Sequence, residues 1–359
     1  MMPKALIMAG GTGGHIFPGL ALAQALASVG WQVDWLGTQT PSMESQLVPR
    51  QDIPFHAVSF KGVRSKCWRT KLLMPFALLR AVIQSVGVIR KLRPQVVIGF
   101  GGYVSAPGGL ASWLCRRPLV LHEQNSVAGM ANRLLAKLTT EVYCAFPNAL
   151  AQGRWIGNPL REAFSVQASP ETRYSERRGA LRVLVVGGSL GAQALNELVP
   201  AALALMPQEH RPLLTHQSGA KQIEALQSRY ATLGLAEEVH LTAFIDDMAS
   251  AMAHVDLIIS RAGASTVTEI AAVGVASLLV PFPHAVDDHQ THNAEFLSQS
   301  GAAWLMAQGE LTPERLAQLL GSVTRPGLLA MAQKAHALRQ TQAVQTMVHA
   351  CTQLVGEGA

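Results

Sequence analysis

An α/β chain of two doubly wound parallel-sheet domains is predicted by three features of these 359 residues. Short apolar runs alternate with longer helical patterns from one end to the other, as parallel strands joined by crossover helices require. A strand, a Gly-Gly-(Thr/Ser)-x-Gly turn and a helix occur at residues 5–26 and again at 182–206, so the architecture restarts in the second half. The length suits two domains, each with its own core.

Residues 4–9 read as the first buried strand. It opens into Gly10-Gly11-Thr12-Gly13-Gly14-His15, and a helix is expected from about residue 19 to 29. Glycines here let a ligand approach the backbone closely. The spacing departs from the dinucleotide fingerprint, and the next strand, 31–36, leads to Gly37-Thr38 rather than to an acidic residue, which disfavours NAD. His15 is the informative side chain, because an imidazole titrates near neutrality and can act as a base. Its plain alternative is a histidine that only hydrogen-bonds a backbone carbonyl.

Residues 61–93 hold nine basic side chains and no acidic one. Such a segment suits an anionic membrane surface, with Lys66, Arg69 and Lys71 at lipid phosphates and Trp68, Leu72, Leu73 and Phe76 in the interface. A nucleic-acid partner is disfavoured because only Trp68 and Phe76 are there to stack on bases. A solvated basic helix face, packed on the core by its other side, is the plain alternative. No apolar run is expected to span a bilayer, since residues 72–89 are interrupted by Pro75, Arg80 and Gln84.

Charge is uneven. Residues 1–160 carry 16 Lys and Arg against 5 Asp and Glu, and residues 161–359 carry 13 against 18, so the first half faces an anionic partner. Cys67, Cys115, Cys144 and Cys351 form no close pair, which argues against a zinc site and for a reducing compartment. The chain is expected to lack a signal peptide, since it runs straight into a strand.

Strand 95–99 precedes Gly101-Gly102-Tyr103-Val104-Ser105, a second turn of the first design. Strand 119–121 ends in His122-Glu123-Gln124-Asn125, at the carboxyl end where open α/β sheets bind ligands. Glu123 is a second candidate base, although His122 and Glu123 can also satisfy each other as scaffold. Asn125 suits a sugar hydroxyl. Residues 157–161 read as a linker, giving domains 1–160 and 161–340 and a helical tail, 341–359, able to pack back on the first domain.

In the second half, residues 255–259 read as a strand leading into Arg261-Ala262-Gly263-Ala264-Ser265-Thr266-Val267-Thr268-Glu269. A strand, a small-residue turn and a helix start make an anion site, because the first-turn N–H groups lack intrahelical acceptors. Ser265, Thr266 and Thr268 can add hydroxyl donors, and Glu269 suits a ribose diol. The loop at 281–294 has three histidines and two aspartates, read as a capped helix start with sugar contacts rather than as metal ligands. The chain contains no Asp-x-Asp.

As an ordered set, Gly10–His15, Gly101–Ser105, His122–Asn125, Gly187-Gly188-Ser189 and Arg261–Glu269 resemble the MurG family of bacterial UDP-N-acetylglucosamine transferases, over essentially the whole chain. The resemblance implies a GT-B glycosyltransferase, two Rossmann-like domains separated by a cleft, with the donor held mainly by the second. It implies an inverting enzyme without cofactor or metal. The donor is UDP-N-acetylglucosamine, and the acceptor is lipid I, an undecaprenyl-pyrophosphoryl-MurNAc-pentapeptide, on the cytoplasmic face of the inner membrane. The product is lipid II for peptidoglycan.

By the same resemblance, Thr12, Gly13 and Gly14 are phosphate-side contacts, Asn125 and Gln290 sugar contacts, and Arg161 and Ser189 nucleotide contacts. Ile245 meets the uracil through its backbone. Ala264, Ser265, Thr266, Val267 and Thr268 form the phosphate and ribose loop, with Glu269 on the ribose. His15 is the expected base and Glu123 its reserve. His289 departs from family members that carry a second glutamine there. Two other classes fit less well. A UDP-sugar epimerase of similar fold would leave segment 61–93 idle, and a non-catalytic UDP-sugar-binding membrane adaptor would need no His15.

Overall fold

The computed structural model describes residues 2–39, 41–60, 68–139, 141–188 and 191–356, the side chains of 68–71 excepted. The chain divides into two compact units, residues 1–161 with 341–359, and residues 162–340.

In the first unit the order is β1 (Lys4–Met8), α1 (Gly13–Ser28), β2 (Gln32–Thr38), α2 (Met43–Leu47), β3 (Phe55–Val58), α3 (Trp68–Leu92), β4 (Val96–Gly99), α4 (Ser105–Leu114), β5 (Leu119–Glu123), α5 (Met130–Leu135), β6 (Glu141–Cys144) and β7 (Arg154–Trp155). The sheet runs β3-β2-β1-β4-β5-β6-β7, and every pairing is parallel. Strand order reverses between β1 and β4, so the loops leaving those two strands diverge and open a crevice at their carboxyl ends.

Helix α1 starts earlier than its glycines suggest. Ile16, Leu20, Ala23 and Leu26 recur at helical spacing and are buried, and that packing outweighs the poor propensity of Gly13, Gly14 and Pro18. The early start puts His15 in the first turn.

Helix α3 corrects an expectation. It is continuous through Pro75, Arg80 and Gln84, and its segment Leu72–Leu92 is long and apolar enough to cross a bilayer. Two stripes share it. Ala81, Val82, Ser85 and Ile89 are buried, while Leu72, Phe76, Leu79 and Ile83 are exposed, Phe76 by 70% and Ile83 by 63%. One face is therefore docked on the unit, and the other is apolar without cover among the described residues.

The second unit holds α6 (Pro170–Ser175), β8 (Arg182–Val186), α7 (Gln193–Ala204), β9 (Leu213–Gln217), α8 (Ile223–Thr232), β10 (Val239–Thr242), α9 (Met248–Ala253), β11 (Leu257–Ser260), α10 (Ala264–Val273), β12 (Ala276–Leu279), α11 (His289–Ser298), β13 (Trp304–Leu305), α12 (Pro313–Ser322) and α13 (Arg325–Ala337). Its sheet is parallel in the order β10-β9-β8-β11-β12-β13, with the same reversal, between β8 and β11. The last helix, α14 (Ala343–Gly356), returns to the first unit and packs on α1, with Met347 and Cys351 in the core beside Leu22 and Ile98.

Candidate active site

In the first unit the candidate residues lie at the carboxyl ends of β1, β4 and β5. Thr12 caps α1 in extended backbone, yet its hydroxyl makes no capping bond, and its carbonyl accepts the N–H groups of His15 and Ile16 at 3.1 and 3.2 Å. The N–H groups of Gly13 and Gly14 therefore stand at an uncapped helix start. A buried carboxylate braces the loop from behind: Glu44 accepts the Thr38 hydroxyl at 2.7 Å and the Gly11 N–H at 3.2 Å. Nothing in the sequence marks Glu44, because its partners come from two other segments.

The turn after β4 presses on this loop. Gly101 and Gly102 have φ of 93° and 82°, a region L side chains rarely enter. A Cβ on Gly101 would also crowd the His15 ring, and one on Gly102 would strike the Gly10 carbonyl. Ser105 closes the turn by donating its hydroxyl to Gly101 O at 2.7 Å.

His15 Nδ1 lies 2.8 Å from Gln124 Oε1. Gln124 Nε2 lies 3.0 Å from His122 Nδ1 and 3.0 Å from the His122 carbonyl oxygen. His122 Nε2 lies 2.9 Å from Gly157 O. His122 is completely buried, and burial pushes its pKa down to about 4, so the ring is neutral near pH 7.

The reserve base does not fit its role. Glu123 is buried, and its carboxylate already accepts four N–H groups: Asn125 backbone at 2.9 Å, Asn125 Nδ2 at 3.4 Å, Gly129 backbone at 3.0 Å and Asn132 Nδ2 at 2.9 Å. With its acceptor positions filled, it organises the loop that carries Asn125 and has no lone pair left for a substrate proton.

In the second unit the candidates gather at the carboxyl ends of β10, β11 and β12. Gly263 caps α10 without a side-chain bond, and the first intrahelical bond runs from Val267 N–H to Gly263 O at 3.0 Å. The N–H groups of Ala264, Ser265 and Thr266 precede it and are the ones available to an anion. Ser265 Oγ is buried and has no hydrogen-bond partner among the described residues, a costly arrangement unless a ligand supplies one.

Two expected contacts turn inward instead. The Val267 side chain is in the core, and the Thr268 hydroxyl donates to the Ala264 and Ser265 carbonyls at 2.9 and 3.0 Å. A hydroxyl bonded back into its own helix is not a donor to a phosphate. Glu269 is partly exposed in the next turn.

Arg261 fixes the approach to α10. Its guanidinium donates to Val280 O and Pro281 O, both at 3.1 Å, and to Gln308 Oε1 at 2.7 Å, while burial lowers its pKa. Asn293 Nδ2 donates to Ala262 O at 3.2 Å. Gln290, at the start of α11, accepts the Phe282 N–H at 2.9 Å, which orients its amide. Ile245 is half-buried just beyond β10, and Arg161 is exposed as the last residue of the first unit's main segment. Ser189 and Lys66 fall outside the described residues, as do the side chains of Trp68, Arg69 and Lys71. Leu72, Leu73 and Phe76 are exposed. An open groove of about 530 Å³ lies at the amino ends of β8, β9 and β10, lined by Arg182, Leu213, Val239 and His254, the opposite end of the sheet from the α10 turn.

Comparisons with known proteins agree with this layout. Residues 5–144 match the glycosyltransferase family 28 N-terminal domain, and residues 182–348 match the glycosyltransferase family 28 C-terminal domain. The UDP-N-acetylglucosamine--N-acetylmuramyl-(pentapeptide) pyrophosphoryl-undecaprenol N-acetylglucosamine transferase of Paracidovorax citrulli is 56% identical over 350 residues, 98% of each chain. The protein of the same name from Acidovorax sp. (strain JS42) is 57% identical over 98% of this chain and 87% of its own. Among solved structures, Acinetobacter baumannii MurG superposes with a TM-score of 0.84 at 40% identity, covering 98% of this chain and 99% of that one. The calicheamicin glycosyltransferase CalG4, at 16% identity and a TM-score of 0.69, shares the fold.

Proposed function

The chain belongs to glycosyltransferase family 28, in its MurG branch, and from that premise we propose that it moves N-acetylglucosamine from UDP-N-acetylglucosamine to the 4-hydroxyl of the muramoyl sugar of lipid I, making lipid II. The full-length likeness to the Paracidovorax citrulli transferase carries this reading.

The chemistry assigns the two units different work. The diphosphate of the donor rests on the α10 start, where three N–H groups, the helix dipole and the Ser265 hydroxyl meet its charge. Glu269 takes the ribose hydroxyls. Asn125 and Gln290 take hydroxyls of the sugar, while Arg161 and Ile245 contact the nucleotide, Ile245 at the uracil. The acceptor hydroxyl attacks the anomeric carbon opposite the UDP. As the new C–O bond forms, the bond to the phosphate oxygen breaks, its electron pair leaves on UDP, and the configuration inverts. His15 takes the hydroxyl proton. The fixed donors at α10 stabilise the leaving charge without having to reorganise. The uncapped start of α1, at Thr12, Gly13 and Gly14, suits an acceptor or donor phosphate.

The acceptor is a lipid, and a peripheral position on the cytoplasmic face of the inner membrane follows from that reading. The exposed stripe Leu72, Phe76, Leu79 and Ile83 on α3 supports it, as do exposed Trp113 and Leu114 on α4 and Met130 and Leu134 on α5, since α3 packs on α4 and α4 on α5. Lys66, Arg69 and Lys71 add attraction to anionic headgroups. Neutralising these three together should weaken binding to anionic vesicles, and unchanged binding refutes the membrane role.

Labelled UDP-N-acetylglucosamine with a short-chain lipid I analogue tests the whole reading. The expected result is labelled lipid II that requires both substrates. Interconversion of the UDP-sugar without acceptor would make the chain an epimerase, and binding without turnover would make it an adaptor.

A further inference from the structure

We propose that Gln124 and His122 are positioning residues for His15: a one-directional chain of hydrogen bonds from the Gly157 carbonyl fixes the His15 proton on Nδ1 and leaves Nε2 as the lone pair that accepts a proton. The proposal deepens the reading of His15 as the base and rests on it for its catalytic meaning, although the tautomer itself is measurable without it.

The direction of the chain follows from groups that only accept. Gly157 O can only accept, so the His122 nitrogen 2.9 Å away, Nε2, carries the hydrogen. His122 is fully buried and neutral, so it carries one ring hydrogen, and its Nδ1 is an acceptor. The Gln124 atom 3.0 Å from that Nδ1 must then be its NH2 group. A second constraint agrees: the same atom lies 3.0 Å from the His122 carbonyl oxygen, which also only accepts. Two acceptors thus take the two hydrogens of one amide nitrogen, and the amide cannot flip without setting its oxygen against both. Gln124 Oε1 is left facing His15 Nδ1 at 2.8 Å, and that nitrogen must donate. The remaining ring nitrogen of neutral His15 is unprotonated.

The consequence is chemical. A free imidazole in water favours the hydrogen on Nε2, which would leave the wrong nitrogen basic. Here the buried network holds the other tautomer. It also holds the ring plane, with the Gly101 turn against the imidazole edge. The chain orients and does not conduct. When Nε2 takes the acceptor proton, His15 becomes an imidazolium whose Nδ1–H still points at Gln124, and the proton later leaves from Nε2 to water. No other link changes partner.

Ring-nitrogen NMR of the full chain labelled with ¹⁵N-histidine, near pH 8, tests the proposal. In the wild type the His15 signals should show hydrogen on Nδ1, assigned by their loss in His15→Ala. Hydrogen on Nε2 overturns the proposal, and this arm needs no stable variant of the network. Gln124→Met keeps the side-chain length and removes its three hydrogen bonds, to His15 Nδ1, His122 Nδ1 and the His122 carbonyl. It should move His15 toward the Nε2–H form and lower kcat by ~10²-fold, the low end of what a general base supplies, with donor KM unchanged. An unchanged tautomer or an unchanged kcat in Gln124→Met overturns it. Full activity in His15→Ala would instead strike the base reading, and the wild-type NMR result separates that failure from this one.

Discussion

The turn after β4 and the turn after β11 hold equivalent places, each leaving the strand next to the first strand of its sheet, yet they are finished differently. After β4, two glycines with positive φ fold the chain onto the Gly10 loop, and the Ser105 hydroxyl is bonded to Gly101 O. That turn is closed, and its surface supports the His15 ring. After β11, Arg261 and Asn293 brace the flanks, but the Ser265 hydroxyl is buried with no hydrogen-bond partner among the described residues, and the first N–H groups of α10 are uncapped. That turn is open, with donors to spare. One piece of topology is therefore finished in two ways: in the first unit it packs against the His15 ring, in the second it leaves the first N–H groups of a helix uncapped.

If the division holds, variants in the two units should fail in different ways. The largest effect belongs to His15→Ala, with kcat lowered by ~10²–10⁴-fold and UDP affinity retained in calorimetric titration. Loss of UDP affinity with near-normal turnover would reverse the assignment of the units. Glu269→Ala should act on the donor alone, raising its KM by ~10-fold or more, as losing a hydrogen bond to a charged group does, with kcat little changed. An unchanged donor KM removes Glu269 from the ribose.

Ser265→Ala gives a smaller and more pointed signal. UDP should bind about fivefold more weakly, for a lost hydrogen bond of about 1 kcal/mol, while thermal stability without ligand stays level or rises. Removing a buried hydroxyl that has no partner among the described residues relieves a desolvation cost. Lower stability with unchanged affinity would make Ser265 a structural residue.

The last comparison is of stability against pH. Burial depresses His216 in the second unit to about 3 and His122 in the first to about 4, each from 6.5. Both folded pKa values are lowered, so above pH 6.5 the folded and unfolded states are equally neutral and nothing is lost. As pH falls below 6.5 the unfolded chain takes up protons that the folded chain refuses, and stability drops. The His122 contribution is fully lost by about pH 4 and that of His216 by about pH 3. Thermal melts from pH 7.5 to 4 should show this decline, and His216→Gln should flatten part of it; a flat profile in the wild type contradicts the neutral buried state of both rings.

Much of this was legible in the chain. Apolar runs of strand length, each followed by small residues, mark the strands and the loops at their carboxyl ends, and the strand-end rule then points to His15, Asn125 and the α10 start. Side-chain direction was not legible. Glu123 looks like a base in sequence because its four N–H donors, from Asn125, Gly129 and Asn132, are arranged only by the fold. Thr268 looks like a ligand contact until the helix offers its hydroxyl two carbonyls one turn back. Gln124 stands beside the expected base candidates without a visible role, since its partner His15 is 109 residues away and Gly157 reads as a linker. Helix α3 was underestimated for the opposite reason: the polar residues that break its hydropathy do not break its backbone.

A crystal structure with UDP bound tests the division of labour most directly. The account predicts diphosphate oxygens at hydrogen-bonding distance, about 2.7–3.2 Å, from the N–H groups of Ala264, Ser265 and Thr266 and from Ser265 Oγ. A diphosphate seated instead on the α1 start, at Gly13 and Gly14, with the α10 turn empty, would contradict it.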